Sequence, residues 1–207
     1  MPEIIYPHAL TTVDRVKQRL GITNTSLDTV ILRLINAVTD FIENRCNRKF
    51  KEQTHTSELH HPGGIGQEYV FLKNRPVSVL TSLQYRSGSI SSPTWNDFPA
   101  DSFEIVEDGK AGLIKVYGGM AKGLTVRATY TAGYKTDFTN FGNTALHTLP
   151  ADLTDCAERL VTRWLKRRED EGKDAASYQQ SSVDYMKELS SEDQEVLAYH
   201  STPPEIQ

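Results

Sequence analysis

The chain has 207 residues, 38% of them hydrophobic, and a formal net charge of −4, with a mean hydropathy of −0.48. That length suits one ordinary domain or one with an appendage, and the low apolar content fits an interface-rich subunit or a globule with a solvated tail. The acidic balance argues against a bulk polyanion binder, two distant cysteines (Cys46 and Cys156) make no disulfide framework, and no apolar run approaches a membrane span.

At the N-terminus, MPEIIYPHAL lacks the basic-then-apolar pattern of a signal peptide, so a cytoplasm-like compartment is expected. Thr11 or Thr12 can cap a short helix carrying Val13, Val16 and Leu20 on one face, with Gly21 after its end. Asn24, Thr25 and Ser26 open a second helix, whose first-turn acid, Asp28, suits the helix dipole. Leu27, Val30, Ile31, Leu34, Ile35, Val38, Phe41 and Ile42 recur at helical spacing. This apolar face is wider than one partner helix requires. The basic run RCNRKFK ends the helix. Both cysteines fall in predicted helices and read as buried free thiols.

From Lys51 to Thr131 the period changes to two. KEQTHTSELHH alternates weakly. EYVFLKN, VSVLTSLQYR, the hairpin FEIVEDGKAGLIKVYG and LTVRATYTAG supply five short strands, with SGSISSPTWNDFPAD read as a turn-rich loop and YGGMAKG as a turn. Hairpin connections imply a small antiparallel sheet or partly open barrel. After Gly133 the chain leaves the sheet and spends about fifteen residues reaching Leu149-Pro150. Proline suits the start of the third helix, which aligns Leu153, Cys156, Ala157, Leu160, Val161, Trp164 and Leu165. EDEGKDAASYQQSS reads as a flexible linker. From Val183 onward one base, Lys187, stands against six acids. SSEDQEVLAYHS there is a serine-capped helix too short to hold alone, expected to order only when docked.

The fold class expected is therefore α+β. A helical body, two N-terminal helices plus one long C-terminal helix, carries an inserted β module and a C-terminal docking arm. The boundaries are 1–50 for the N-terminal helical part and 51–134 for the β module. Residues 135–171 form the loop and third helix, and 172–207 the linker and arm.

The chemistry of an enzyme is not visible. PGGIGQE lacks the lysine of a phosphate-binding loop and leads into a strand. No G-x-S-x-G occurs. His55, His60 and His61 are close in sequence, but His60 and His61 should point to opposite faces of a strand, which is poor for zinc. No catalytic, cofactor or metal residues are assigned.

Leu20-Gly21-Ile22, Ile35-Asn36-Ala37-Val38-Thr39, Arg48-Lys49-Phe50, Arg75-Pro76-Val77, Tyr130-Thr131-Ala132-Gly133-Tyr134 and Leu149-Pro150-Ala151-Asp152-Leu153 follow one another in this order. Their collinearity over roughly residues 8 to 170 resembles the head-tail connector, or head-completion adaptor, family of tailed bacteriophages. The resemblance implies a non-enzymatic virion protein of the neck, made in the bacterial host cytoplasm. It implies a homo-oligomeric ring, usually dodecameric, beneath the portal protein. That ring would extend the DNA channel and offer a platform for the tail or the next head-completion protein, without sequence-specific DNA binding, membrane or cofactor. On this reading the arm docks on the portal or a neighbour through Tyr185, Leu189, Val196, Leu197 and Tyr199. Tyr134, Phe138 and Phe141 form a candidate assembly loop. Arg163 to Arg168 face protein, because a channel that conducts DNA needs walls that do not hold phosphates. The alternatives are a muralytic virion accessory enzyme, marked by paired carboxylates in a cleft, and a DNA-binding assembly factor, marked by salt-sensitive binding.

Overall fold

The structure is a computed structural model, described here for residues 6–63, 66–89, 91–140, 145–170 and 189–201. The chain divides into two units, one of residues 1–48 with 135–207, the other of residues 49–134.

The first unit is helical. Helix α1 (Val13–Leu20) starts where Thr12 accepts a hydrogen bond from the Arg15 N–H and stops at Gly21, whose φ of 68° is the left-handed turn glycine permits. Helix α2 spans Asp28–Cys46 and ends on Asn47, also left-handed. Its start differs from the expectation. Leu27 occupies the cap without a side-chain hydrogen bond, because Asn24 Oδ1 is engaged by Ser26 N at 3.1 Å and Ser26 Oγ at 2.5 Å in a local turn. Asp28 binds Lys17 Nζ at 2.8 Å. Helix α3 spans Ala151–Asp170, directly after Pro150. A fourth helix, α4, covers Ser191–His200.

Val16, Ile31, Ile35, Ile42, Leu160 and Leu165 are among the side chains these helices bury almost completely. Each contributes about 1.5–3 kcal/mol relative to exposure. Cys46 and Cys156 are buried free thiols.

The second unit is antiparallel β. Its strands are β1 (Gln53–His60), β2 (Gln67–Phe71), β3 (Val77–Ser89), β4 (Ser92–Asp97), β5 (Phe103–Ile105), β6 (Leu113–Met120) and β7 (Val126–Ala132). They form a four-stranded sheet ordered β1-β7-β3-β4 and a three-stranded sheet ordered β2-β6-β5, not one sheet and not a closed barrel. Strand β7 alternates strictly, burying Val126, Ala128, Tyr130 and Ala132. They share a core with Val70, Leu83, Ile114 and others.

Two sequence readings of this unit are corrected, and the weak alternation of a third segment is explained. The run 87–99 is no open loop: β3 continues to Ser89 and pairs with β4 from Gln84↔Asp97 to Ser89↔Ser92. Ser, Gly and Pro gave a turn signal, but β4 is an edge strand, where a proline without an N–H is tolerated. The Trp95 ring also ties β4 to β7, its centroid 4.3 Å from the Arg127 guanidinium carbon. The weakly alternating KEQTHTSELHH is strand β1, irregular because its register against β7 shifts between His55 and Glu58, where Ser57 has a φ of 57°. Gly118 and Gly119 lie within β6, and the turn comes after them.

Gly133 ends β7 where a side chain has no room. Its φ is 117°, and a Cβ there would stand 2.5 Å from the Lys51 carbonyl oxygen.

Candidate assembly surfaces

Helix α4 is held at both ends by the helical unit. Ser190 caps it: Ser190 Oγ accepts from Asp193 N at 3.1 Å, and the Asp193 carboxylate accepts in return from Ser190 N and Oγ. Asp193 is fully buried and also accepts from Arg159 Nε at 2.8 Å and Arg163 Nη2 at 3.2 Å. Burial pushes the Asp193 carboxyl up, but hydrogen bonds from Ser190 and Arg159 outweigh it and hold the group below the usual carboxylate range. At the other end His200 Nε2 lies 2.8 Å from Asp152 Oδ2, and the His200 carbonyl accepts from Arg48 Nη1 at 3.3 Å. Between them Leu197 is buried, and its carbonyl accepts from Cys46 Sγ at 3.5 Å. Burial, helped by the nearby Asp193 charge, pushes the Cys156 thiol up to about 12. Burial also raises Cys46.

This sorts the arm residues proposed from sequence. Leu189 and Leu197 are buried, Val196 is half-buried, and Tyr199 is 78% exposed. Tyr185 lies outside the described residues. Glu192, Glu195 and Tyr199 therefore form an outward ridge at helical spacing.

On α2, Leu27, Val30 and Leu34 stay half-exposed along one flank. Phe41 packs edge-on against Trp164 at 5.7 Å. The inner face of α3 is pinned to α1 by charge. Glu158 Oε1 accepts from Arg15 Nε at 2.6 Å and from Thr11 Oγ1 at 3.3 Å, while Arg19 Nη1 reaches Asp155 at 2.5 Å. Arg163 turns to Asp193, whereas Lys166, Arg167 and Arg168 are exposed.

The loop after Gly133 is partly organised. Lys135 and Thr148 exchange hydrogen bonds, and Lys135 Nζ donates to the Ala145 carbonyl at 3.1 Å. Phe138 is half-buried against His147, ring centroids 5.0 Å apart. Tyr134 closes the β unit, donating its N–H to the Phe50 carbonyl at 2.6 Å. Tyr134 and Phe138 belong to different units, and Phe141 lies outside the described residues.

Sequence reasoning missed two features. The first is the aromatic outer face of the three-stranded sheet: Tyr69 is 38%, Phe71 66% and Tyr117 48% exposed. The signal was present, since EYVFL places apolar residues on both faces of its strand. The second is a buried polar network. Glu58 accepts from Tyr130 Oη at 2.6 Å and Lys73 N at 2.9 Å, with His60 Nε2 3.1 Å away. Asn74 N donates to Tyr130 Oη at 3.2 Å. Burial would raise Glu58, but His60 and Tyr130 hold it low. Burial and Glu58 together push Tyr130 up, and burial lowers His55. Of the three histidines weighed for zinc, His60 is buried and His61 exposed, on opposite sides as the strand period requires. Among the described residues, the three ligand-type side chains that do converge are His8, Asp40 and Glu43. No described helix is long and apolar enough to cross a membrane.

Among curated proteins no relative matches the chain. Solved structures share its fold, among them two from gene transfer agent particles. A chain from "Neck of empty GTA particle computed with C6 symmetry" is 17% identical with a TM-score of 0.58, the match covering 99% of this chain and 95% of that one. A chain from "Virion of native gene transfer agent (GTA) particle" is 18% identical with a TM-score of 0.51, over 80% of this chain and 83% of that one. The family model of head completion proteins matches residues 9–199, nearly the whole described chain, and the protein belongs to that family.

Proposed function

We propose that the protein is a structural component of a phage-type virion neck, a head-tail connector that completes the head by forming a ring under the portal. The family match over residues 9–199 carries this reading. The shared fold with a chain from a gene transfer agent neck supports it. In the ring each subunit presents one face to the opposite face of the next. The half-exposed flank of α2 and the outward ridge of α4, Glu192, Glu195 and Tyr199, suit such contacts, and a stable contact buries on the order of 800 Å² per partner. The ring lines the path of the DNA without reading its sequence and presents its lower rim to the tail or the next completion protein. Leu189 and Leu197 hold α4 to its own subunit, so docking on the portal or a neighbour falls to Val196 and Tyr199. Phe138 and Tyr134 supply further contacts. The role is non-enzymatic.

Tyr199→Asp tests the docking ridge in particles assembled in the host. Because Tyr199 is exposed, the subunit should keep its stability within about 0.5 kcal/mol, while heads fail to join tails. Normal joining would remove α4 from the contact. Six and twelve copies both fit a sixfold-symmetric neck, and the mass of the isolated ring decides between them.

A further inference from the structure

We propose that His8, Asp40 and Glu43 form a site for a divalent cation of the zinc class, which fastens the segment before α1 to α2. His8 Nε2 lies 3.9 Å from Asp40 Oδ1 and 4.0 Å from Glu43 Oε2, and the three donor atoms are all within 4.8 Å of one another. These separations are too long for hydrogen bonds, and His8 Nε2 is buried without one. Buried polar atoms nearly always have a partner, so a nitrogen placed between two carboxylate oxygens calls for a ligand.

The placement is built into the fold. Asp40 and Glu43 are three residues apart on α2, hence on one face. The backbone on either side of His8 is fastened to the preceding turn of the same helix. Tyr6 N donates to Asn36 Oδ1 at 2.9 Å, and Leu10 N donates to Thr39 Oγ1 at 3.3 Å. Asn36 and Thr39 each stand four residues before a carboxylate. The Tyr6 ring stacks on the His8 imidazole with centroids 4.9 Å apart, which fixes the ring's orientation. Donors around an ion bound at about 2.0–2.2 Å stand roughly 3–3.5 Å apart. The two His8 separations therefore need to contract by roughly half an ångström each, and the two carboxylate oxygens, within 4.8 Å of each other, by at most about 1–2 Å, both by side-chain rotation. Glu43 is 2% exposed, and a cation at this point compensates the burial of its charge. One imidazole with two carboxylates suits zinc or manganese better than magnesium, which prefers oxygen donors and retained water.

The test is calorimetric titration of zinc chloride into the metal-free full-length chain near neutral pH, with His8→Ala and Asp40→Asn alongside and magnesium chloride as the comparison ion. One zinc per chain is expected, bound at least tenfold more weakly by both variants, with magnesium weaker than zinc. Circular dichroism confirms that each variant is folded, and the partly exposed Asp40 supplies the milder substitution. Absence of saturable zinc binding overturns the site and leaves His8 as a side chain packed beside two acids. Undiminished binding by both folded variants also overturns it, placing the ion on other histidines.

Discussion

Replacing Asp193 with alanine should release α4 from the helical unit. Asp193 is fully buried and serves three donors at once: Ser190 in the capping box, Arg159 and Arg163. The Ser190 cap on the residue 193 N–H survives in alanine, but the reciprocal bonds from Ser190 N and Oγ to the carboxylate are lost, at about 0.5–1.5 kcal/mol. Removing one partner of a buried ion pair costs about 3–5 kcal/mol, but Arg159 and Arg163 remain 23% and 22% exposed. They can turn to water, and Arg159 already contacts Asp155, so the combined effect is closer to about 2–4 kcal/mol. The thiols report it. The Leu197 carbonyl sits on Cys46, and Cys156 lies close enough to Asp193 to feel its charge. A pyridyl disulfide reagent reaches either thiol only when α4 opens. At tenfold per 1.4 kcal/mol, labelling should accelerate by about 30- to 700-fold. Circular dichroism should show α1 to α3 intact. A labelling rate within about twofold of the parent would refute the clasp. The same assay has a pH dependence of defined sign. The Asp193 carboxyl is held low in the folded protein, so its contribution is complete above about pH 3.9, the unfolded value. It is lost as the pH falls through the folded value. Divided by the labelling rate of an unfolded thiol at the same pH, labelling of the parent protein should rise in that acidic window.

Three further outcomes follow from other parts of the chain. Tyr130→Phe removes a donor to Glu58 and strands Asn74 N, which should lower stability to urea by about 1–3 kcal/mol; an unchanged midpoint would mean the network is relaxed by water. Because Glu58 is also held low, that deficit should be full above about pH 4.3 and shrink as the pH falls below it. Gly133→Ala forces a Cβ to within 2.5 Å of the Lys51 carbonyl at a φ of 117°. It should cost about 1–3 kcal/mol or more, seen as a lowered melting temperature, and an unaltered melt would mean the strand end shifts freely.

The helices were legible because their signals are local. Thr12, Gly21 and the 3.6-residue spacing of α2 and α3 placed three of the four described helices from local pattern alone. The α4 cap was also readable from Ser190, but its partner was not, since nothing in SSEDQEVLAYHS specifies that Asp193 will meet Arg159 and Arg163 on α3. The β unit was harder. Strand β7 has a clean period of two because one face is wholly buried. Strand β1 carries a bulge that breaks its period, and β4 is an edge whose Ser and Pro look like a turn. Splitting into two sheets depends on which strands pair at long range, which local pattern does not encode. His8, Asp40 and Glu43 escaped notice for the same reason: a histidine in an N-terminal segment meets two helical acids only through the packing of α1 and α2.

The central claim is that this head completion protein acts as a ring in the virion neck. Electron cryomicroscopy of particles assembled in the native host tests it most directly. A closed ring of this chain between head and tail is expected, with α2 of one subunit against the next. Purified, tail-bearing particles that lack the chain, or hold it away from the neck, would contradict it.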